Sequence, residues 1–402
     1  MTDRKMISPL TAPPETIRVL PTPLYMATSA ACLTNDWVDW LGYTVPVSYG
    51  PIEQELNALR KTVGLIDVSP IGKYGISGRD VAAFMDHTFV TSLKAAKVGQ
   101  CFVAPFCHSN GQTINIAEAS RLAENYWWVS APGRHLHWLE EAARGFDVEI
   151  KDFSDGYAGL RLIGPALKDL LGAVGLEALQ DLPMGQALHI ALDDLTLIAT
   201  NSAHEKISGL TLWCSADRGE AFWDALMAAG APFGLQPVGR VASEAFRIEN
   251  GLPAAGAEFV PAPQAIHNDR RHSPLALGFG SYIDFEKLVF NGRSALLEEK
   301  GKGRTLKLVQ LTFAGKAPPP GTHFFEPSRF IPQVFSKPIG IVTSSVALPD
   351  RVSALALGLM KPAAAKPGQA IEVCFQAEDE LVTGRIKVEG RVQAVSTFTK
   401  LP

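Results

Sequence analysis

The feature that most limits what this chain can become is a change of pattern at residues 313–321, Phe-Ala-Gly-Lys-Ala-Pro-Pro-Pro-Gly. Three consecutive prolines followed by a glycine cannot continue a helix or a central strand, so the segment reads as a loop. Before it, helical and strand-like patterns alternate. Pro51 opens a helix with Ile52, Leu56, Leu59 and Val63 on one face, and Gly64 is its expected stop. Further helices are read over 78–93, 133–144, 165–174, 216–229 and 240–249, with Ser215 as N-cap and Gly230 as stop of the 216–229 helix. Runs rich in β-branched and apolar residues at 158–163, 195–200, 208–214 and 306–313 read as strands. After the loop only short apolar runs remain, at 339–344, 353–360 and 371–375, with Pro367-Gly368 as a turn. The chain therefore reads as α+β followed by a small all-β module.

With 402 residues, 47% of them hydrophobic, the chain can bury more than one core, and its length suggests two or three domains. A net charge of −4 with no basic run points away from nucleic acid. Five scattered cysteines without a C-x-x-C fit reduced thiols in a cytoplasmic protein better than a disulfide framework. The proline-rich start (Pro9, Pro13, Pro14, Pro21, Pro23) reads as an irregular surface arm, without the apolar stretch of a signal peptide. No later stretch is apolar for long enough to span a membrane. His135 and His137, two apart on an expected helix, do not face one ligand, and no nucleotide or zinc motif is present, so no metal is expected. Trp127 and Trp128 read as fillers of a strand face or domain seam.

Several blocks fall in a recognisable order. They are Gly42-Tyr-Thr-Val-Pro-Val-Ser-Tyr-Gly50, Val63-Gly-Leu-Ile-Asp-Val-Ser69, Ile163-Gly-Pro165, Phe246-Arg-Ile-Glu-Asn-Gly251, Ser273-Pro-Leu-Ala-Leu-Gly-Phe-Gly280, Phe290-Asn-Gly-Arg-Ser-Ala-Leu296 and Gly340-Ile-Val-Thr-Ser344. Each alone is weak; seven in sequence are specific. Together they resemble the glycine-cleavage T-protein (aminomethyltransferase) and folate-dependent demethylase family, of which this chain looks like a divergent member. The resemblance implies an α+β fold of three domains in a cloverleaf around a central channel, the last of them β-barrel-like. It places the first domain at 1–62 plus 155–235, the second at 63–154 plus 236–285 and the third at 286–402. It also implies that the channel is built for tetrahydrofolate, to which a one-carbon group is passed.

The site positions depart from that pattern. The family's working aspartate falls on Asn115, and an amide neither takes a proton nor carries charge at neutral pH. Thr211 stands where the family's pterin-gripping glutamate belongs; losing that charged acceptor costs on the order of 2–4 kcal/mol of binding. Val103, Ser243, Ser281 and Ser69-Pro-Ile71 replace other family side chains. The candidates for catalysis are Asn115, as a neutral group orienting substrate, and His204, His108 and Glu258 as acid or base. Tyr49, Val103, Thr211, Arg247 and Ser281 are the expected substrate or cofactor pocket. Residues 260–272, longer than in plain T-proteins, read as a lid or interface loop in which His267, Arg270, Arg271 and His272 could receive an anionic or phenolic group.

The expected partner is thus a small molecule, with neither nucleic acid nor membrane, and no oligomeric state follows. The expected function is removal of a one-carbon unit as formaldehyde from a small aromatic or phenolic substrate, with no cofactor favoured. The alternative is a tetrahydrofolate-dependent methyltransferase or demethylase, and a third reading is a non-catalytic scaffold.

Overall fold

A computed structural model describes residues 19–202, 209–262, 271–303, 306–327, 337–348, 352–376 and 385–395. The proline-rich arm up to residue 18, His204, His267 and Arg270 lie outside the described residues.

Two sheets build the part before the proline loop. The first has six strands in the order Gln186–Leu192, Leu195–Asn201, Gly209–Ser215, Tyr157–Ile163, Val63–Asp67, Leu235–Pro237. Its side chains alternate with the pleat. Leu160, Leu162, Leu210, Leu212 and Leu197 are buried under the helices Leu167–Ala173 and Gly219–Gly230, against Leu170, Phe222 and Trp223. Each such leucine contributes about 1.5–3 kcal/mol relative to exposure. Gly159, Arg161, Thr211, Trp213, Ile198 and Thr200 alternate with them in the registered pairs and face the other way. Gly159 is required there: a Cβ would stand 2.4 Å from the Trp213 ring.

The second sheet has five antiparallel strands in the order Cys101–Cys107, Thr113–Ala123, Tyr126–Ala131, Gly72–Ser77, Glu149–Asp152. Trp127 packs with Phe84 and Met85 of the Val81–Thr88 helix, whereas Trp128 points to the opposite face and meets Trp213 of the first sheet, ring centres 6.2 Å apart. The tandem tryptophans thus fill one core and one seam between sheets, as their alternation on a strand requires.

The C-terminal module is a closed barrel in the order Lys307–Ala314, Ser353–Met360, Gly340–Ala347, His323–Phe325, Ala370–Gln376, Arg385–Val395. Closure leaves no free sheet edge. The Phe324 ring occupies its interior because Gly340 and Gly358 lack side chains; a Cβ at either would lie 2.6 or 2.4 Å from it. Outside, Leu308, Leu355, Leu357 and Leu359 pack with Phe246 and Ile248 of the Arg240–Glu249 helix.

Some local expectations need correcting. Gly64 is not a helix stop: the helix Ile52–Lys61 ends before it, and Gly64 lies in a strand where a Cβ would come within 2.6 Å of Leu59 and 2.9 Å of Val238. Gly230 keeps right-handed helical angles, and the left-handed stop falls at Gly234, φ +72°. Ser215 makes no side-chain cap bond. The 78–93 helix spans only Val81–Thr88, because Asp86 Oδ1 accepts from the Leu93 and Lys94 N–H groups and turns the chain. Val63–Asp67 pairs with Tyr157–Ile163, so it joins the first sheet rather than the 63–154 segment. All five cysteines are free thiols, and among the described residues no helix is long and apolar enough to cross a membrane.

Candidate active site

The faces of the two sheets that carry no helices look toward one another, and between them lies a cavity of about 140 Å³. The first sheet supplies Arg161, Thr211 and Trp213; the second supplies Asn115, Ile116, Glu118 and Ser130; Pro253–Ala255 and Phe259 close it. Arg161, Thr211 and Thr200 are direct cross-strand neighbours. On the facing sheet Val103, Glu118, Ser130 and Lys73 form the matching row. Trp213 Nε1 is fully buried and has no hydrogen-bond partner. The cavity's volume is close to that of an apolar cavity of about 150 Å³ known to hold a benzene ring.

Asn115, Pro132 and Ala255 also line a second, wider space of about 690 Å³, which we call the vestibule. Its wall carries His108, Arg134, His135, His137 and Arg271, with Trp138 as an apolar plate. Arg134 donates to the Tyr43 hydroxyl at 2.6 Å and pairs with Asp155 at 2.5 Å.

Asn115 is 2% exposed, and its amide is spent on the main chain. Nδ2 donates to the Pro132 carbonyl at 2.6 Å, and Oδ1 accepts the Ile116 N–H at 2.9 Å. The flipped amide would set like against like at both ends, so one orientation is allowed. The group read from sequence as orienting substrate therefore has one Oδ1 lone pair to spare. An aspartate here would set a carboxylate oxygen against the Pro132 oxygen, a contact that the amide turns into a bond.

His135 sits beside Asn115 and was not singled out for chemistry by sequence. It stands at the N-cap position of the helix Leu136–Ala142 without a side-chain cap bond, and its Nε2 lies 2.8 Å from the Pro132 carbonyl and 3.2 Å from Asn115 Nδ2. The Tyr74 hydroxyl accepts its backbone N–H at 2.6 Å, and the Phe106 ring stands edge-on at 5.2 Å. Burial pushes the imidazole below its ordinary pKa, against the opposing pull of the Pro132 bond. Its ring is thus neutral at pH 7. The hairpin register carried the missed signal: Glu118 opposite Ser130 puts position 115 opposite 133, two residues from His135.

Lys73 lies under the same cavity. It is fully buried, donates to the Ser69 and Tyr157 carbonyls at 2.7 and 2.9 Å, and has its pKa lowered by burial to about 7.

The other expected positions scatter. His108 is exposed on the vestibule rim, beside Ser109 Oγ at 3.2 Å. Tyr49 is not a pocket residue: it is 4% exposed in the core under the first sheet, stacked on Trp223. Val103 packs among Leu252, Phe259 and Phe279 beneath the cavity wall. Ser281 is exposed on a different depression with Ile283 and Lys300, so it does not share the Asn115 site.

Glu258 and Arg247 belong to the joint with the barrel. Gly251, at φ +71°, ends the Arg240–Glu249 helix; the Leu252 N–H returns to the Arg247 carbonyl and the Gly251 N–H to that of Ile248, both at 3.1 Å. That turn brings the Leu252 carbonyl onto Arg247, whose guanidinium also bonds Glu258 at 2.7 Å, Glu244, and Ser344 Oγ at 2.9 Å. Burial opposes its charge, but Glu258 and Glu244 hold it above its ordinary pKa. Glu258 accepts four donors: Arg247, the Ala254 N–H at 2.8 Å, Thr343 Oγ1 at 3.1 Å and Ser344 Oγ. It lines a separate cavity of about 460 Å³ against the barrel and is committed to holding the 252–259 loop, which is also a wall of the ring-sized cavity.

The chain is similar to known proteins along most of its length. The family model described as the GCVT N-terminal domain matches residues 29–287. An aminomethyltransferase of Desulfitobacterium hafniense is 25% identical over 345 residues, covering 85% of this chain and 90% of its own. One from Caldanaerobacter subterraneus is 27% identical over 349 residues, covering 84% and 88%. The crystal structure of glycine cleavage system aminomethyltransferase T from Bartonella henselae superposes with a TM-score of 0.80 at 20% identity, over 95% of this chain and all of that one. At that identity it speaks to the fold alone, which is the three-part architecture expected from sequence.

Proposed function

The chain belongs to the GCVT N-terminal domain family, and from that premise we propose that it is a one-carbon enzyme that releases formaldehyde from a small ring-bearing substrate without folate. Its aminomethyltransferase scaffold makes one-carbon chemistry the starting point. The observation that carries the finer reading is Thr211. It stands on the inner wall where the family pattern has a carboxylate, and a hydroxyl cannot make the two charge-assisted bonds that hold an aminopyrimidine edge. The cavity around it takes one ring. These residues fit a pterin poorly.

The chemistry asks for a base near a hydroxymethyl group and a ring that can accept the electron pair of the bond that breaks. A phenolic aromatic meets the second need. The vestibule's imidazoles meet the first.

A second reading, tetrahydrofolate-dependent transfer, is supported by the relatives' activity and by Glu118, a carboxylate in the same ring-sized cavity. The experiment is turnover of hydroxymethyl-bearing phenols by purified protein, with formaldehyde measured with and without added tetrahydrofolate. Release that needs no folate supports the proposal. Turnover that appears only with folate replaces it with the second reading.

A further inference from the structure

We infer that His135 is the proton acceptor of this site, held as one tautomer by the Pro132 carbonyl, an oxygen it shares with Asn115 Nδ2. The inference rests on the proposed function for its substrate, but the tautomer stands on geometry alone. The Pro132 carbonyl is acceptor-only and lies 2.8 Å from Nε2, so Nε2 carries the hydrogen. Asn115 cannot compete for that hydrogen, because it too presents a donor to the same oxygen. Nδ1 is left with the lone pair. It makes no cap bond to its helix and has no hydrogen-bond partner among the described residues. The ring lines the vestibule, whose wall shares Asn115, Pro132 and Ala255 with the ring-sized cavity.

The competing groups are less suited. Glu258 is saturated by four donors. His108 sits on the exposed rim with only a neighbouring serine to orient it. The charged or titratable groups around His135 are Arg134, His137 and Glu141 on its own segment, Tyr74 beneath it, and His108 and Arg271 across the vestibule. None of these side chains is ion-paired or hydrogen-bonded to its ring.

The step balances without an oxidant. Nδ1 takes the O–H proton of a –CH2OH group, and the O–H pair becomes the second C–O bond of formaldehyde. The C–C bond breaks, and its pair passes to the carbon conjugated with the ring. The proton on Nδ1 then returns to that carbon. The net change is R–CH2OH to R–H plus formaldehyde.

The test is His135→Gln, whose amide N–H replaces the bond to Pro132 but offers no base. The fold should persist, kcat should fall about 10²–10⁴-fold with KM little changed, and added imidazole should restore part of the activity of His135→Ala. The acid limb of the wild-type pH profile should vanish with the histidine. A variant with wild-type kcat and pH profile overturns the inference. If the wild type releases no formaldehyde from any phenol, the functional reading fails by itself, and the histidine is decided by imidazole NMR of the wild-type protein. An Nε2–H tautomer, neutral at pH 7, supports it; an Nδ1–H tautomer or a protonated ring overturns it.

Discussion

Two buried polar clusters lie on either side of the 252–259 loop, and they are built on opposite terms. At the barrel joint, Arg247, Glu244, Glu258, Thr343 and Ser344 satisfy one another. Around the central cavity the buried Trp213 Nε1 has no partner, and the His135 ring, with Nδ1 unbonded among the described residues, lines the vestibule. Buried polar groups that spend all their capacity on each other fix geometry; those with capacity left over can take a ligand. The sequence blocks divide the same way. Phe246–Gly251 and Gly340–Ser344, which resemble the T-protein pattern, meet at the joint. Asn115, Thr211 and Ile71, which depart from it, line the ring-sized cavity.

The contrast breaks most visibly at the joint. Glu258→Ala removes the acceptor of a buried guanidinium and should lower stability by about 3–5 kcal/mol in urea unfolding. A loss below about 1 kcal/mol would mean that Glu258 is not committed to structure and is available for chemistry. The next largest effect belongs to Asn115→Asp. Its carboxylate meets the Pro132 carbonyl instead of donating to it, which should cost about 1–3 kcal/mol at pH 7. The same change should raise the pKa of His135, readable by NMR.

A smaller effect is in pH. Burial holds the folded-state pKa of His135 below the unfolded value of about 6.5. Between the two values the unfolded chain binds more protons, so this contribution is complete above about pH 6.5 and is lost as pH falls toward the folded pKa. The difference between wild type and His135→Gln should therefore shift in favour of the variant on acidification. A difference that stays constant from pH 8 to 5 would contradict a neutral buried ring.

Much of the architecture was legible in sequence because it rests on repeated physical signals: period-two apolar runs at 158–163 and 353–360, and a proline loop ahead of the barrel. Of the site, the expectation at Thr211 rested on residue type alone, and Thr211 lines the ring-sized cavity. Tyr49 and Ser281 were misplaced because a block's position in the chain does not say which face of a strand or turn it shows. Glu258 looked like a spare carboxylate because its four donors come from three separate stretches of the chain. His135 was passed over because it was weighed against His137, its helix neighbour, and not against Asn115, its partner across the hairpin.

The central claim is that the inner cavity accepts a ring but lacks the clasp for a pterin. Calorimetric titration of the protein with tetrahydrofolate tests it most directly, with Thr211→Glu alongside. The account predicts no saturable heat for the wild type and binding roughly a hundredfold tighter in the variant, about 2–4 kcal/mol from a restored charged acceptor. Tight one-to-one binding by the wild type, abolished by Glu118→Gln, would contradict it.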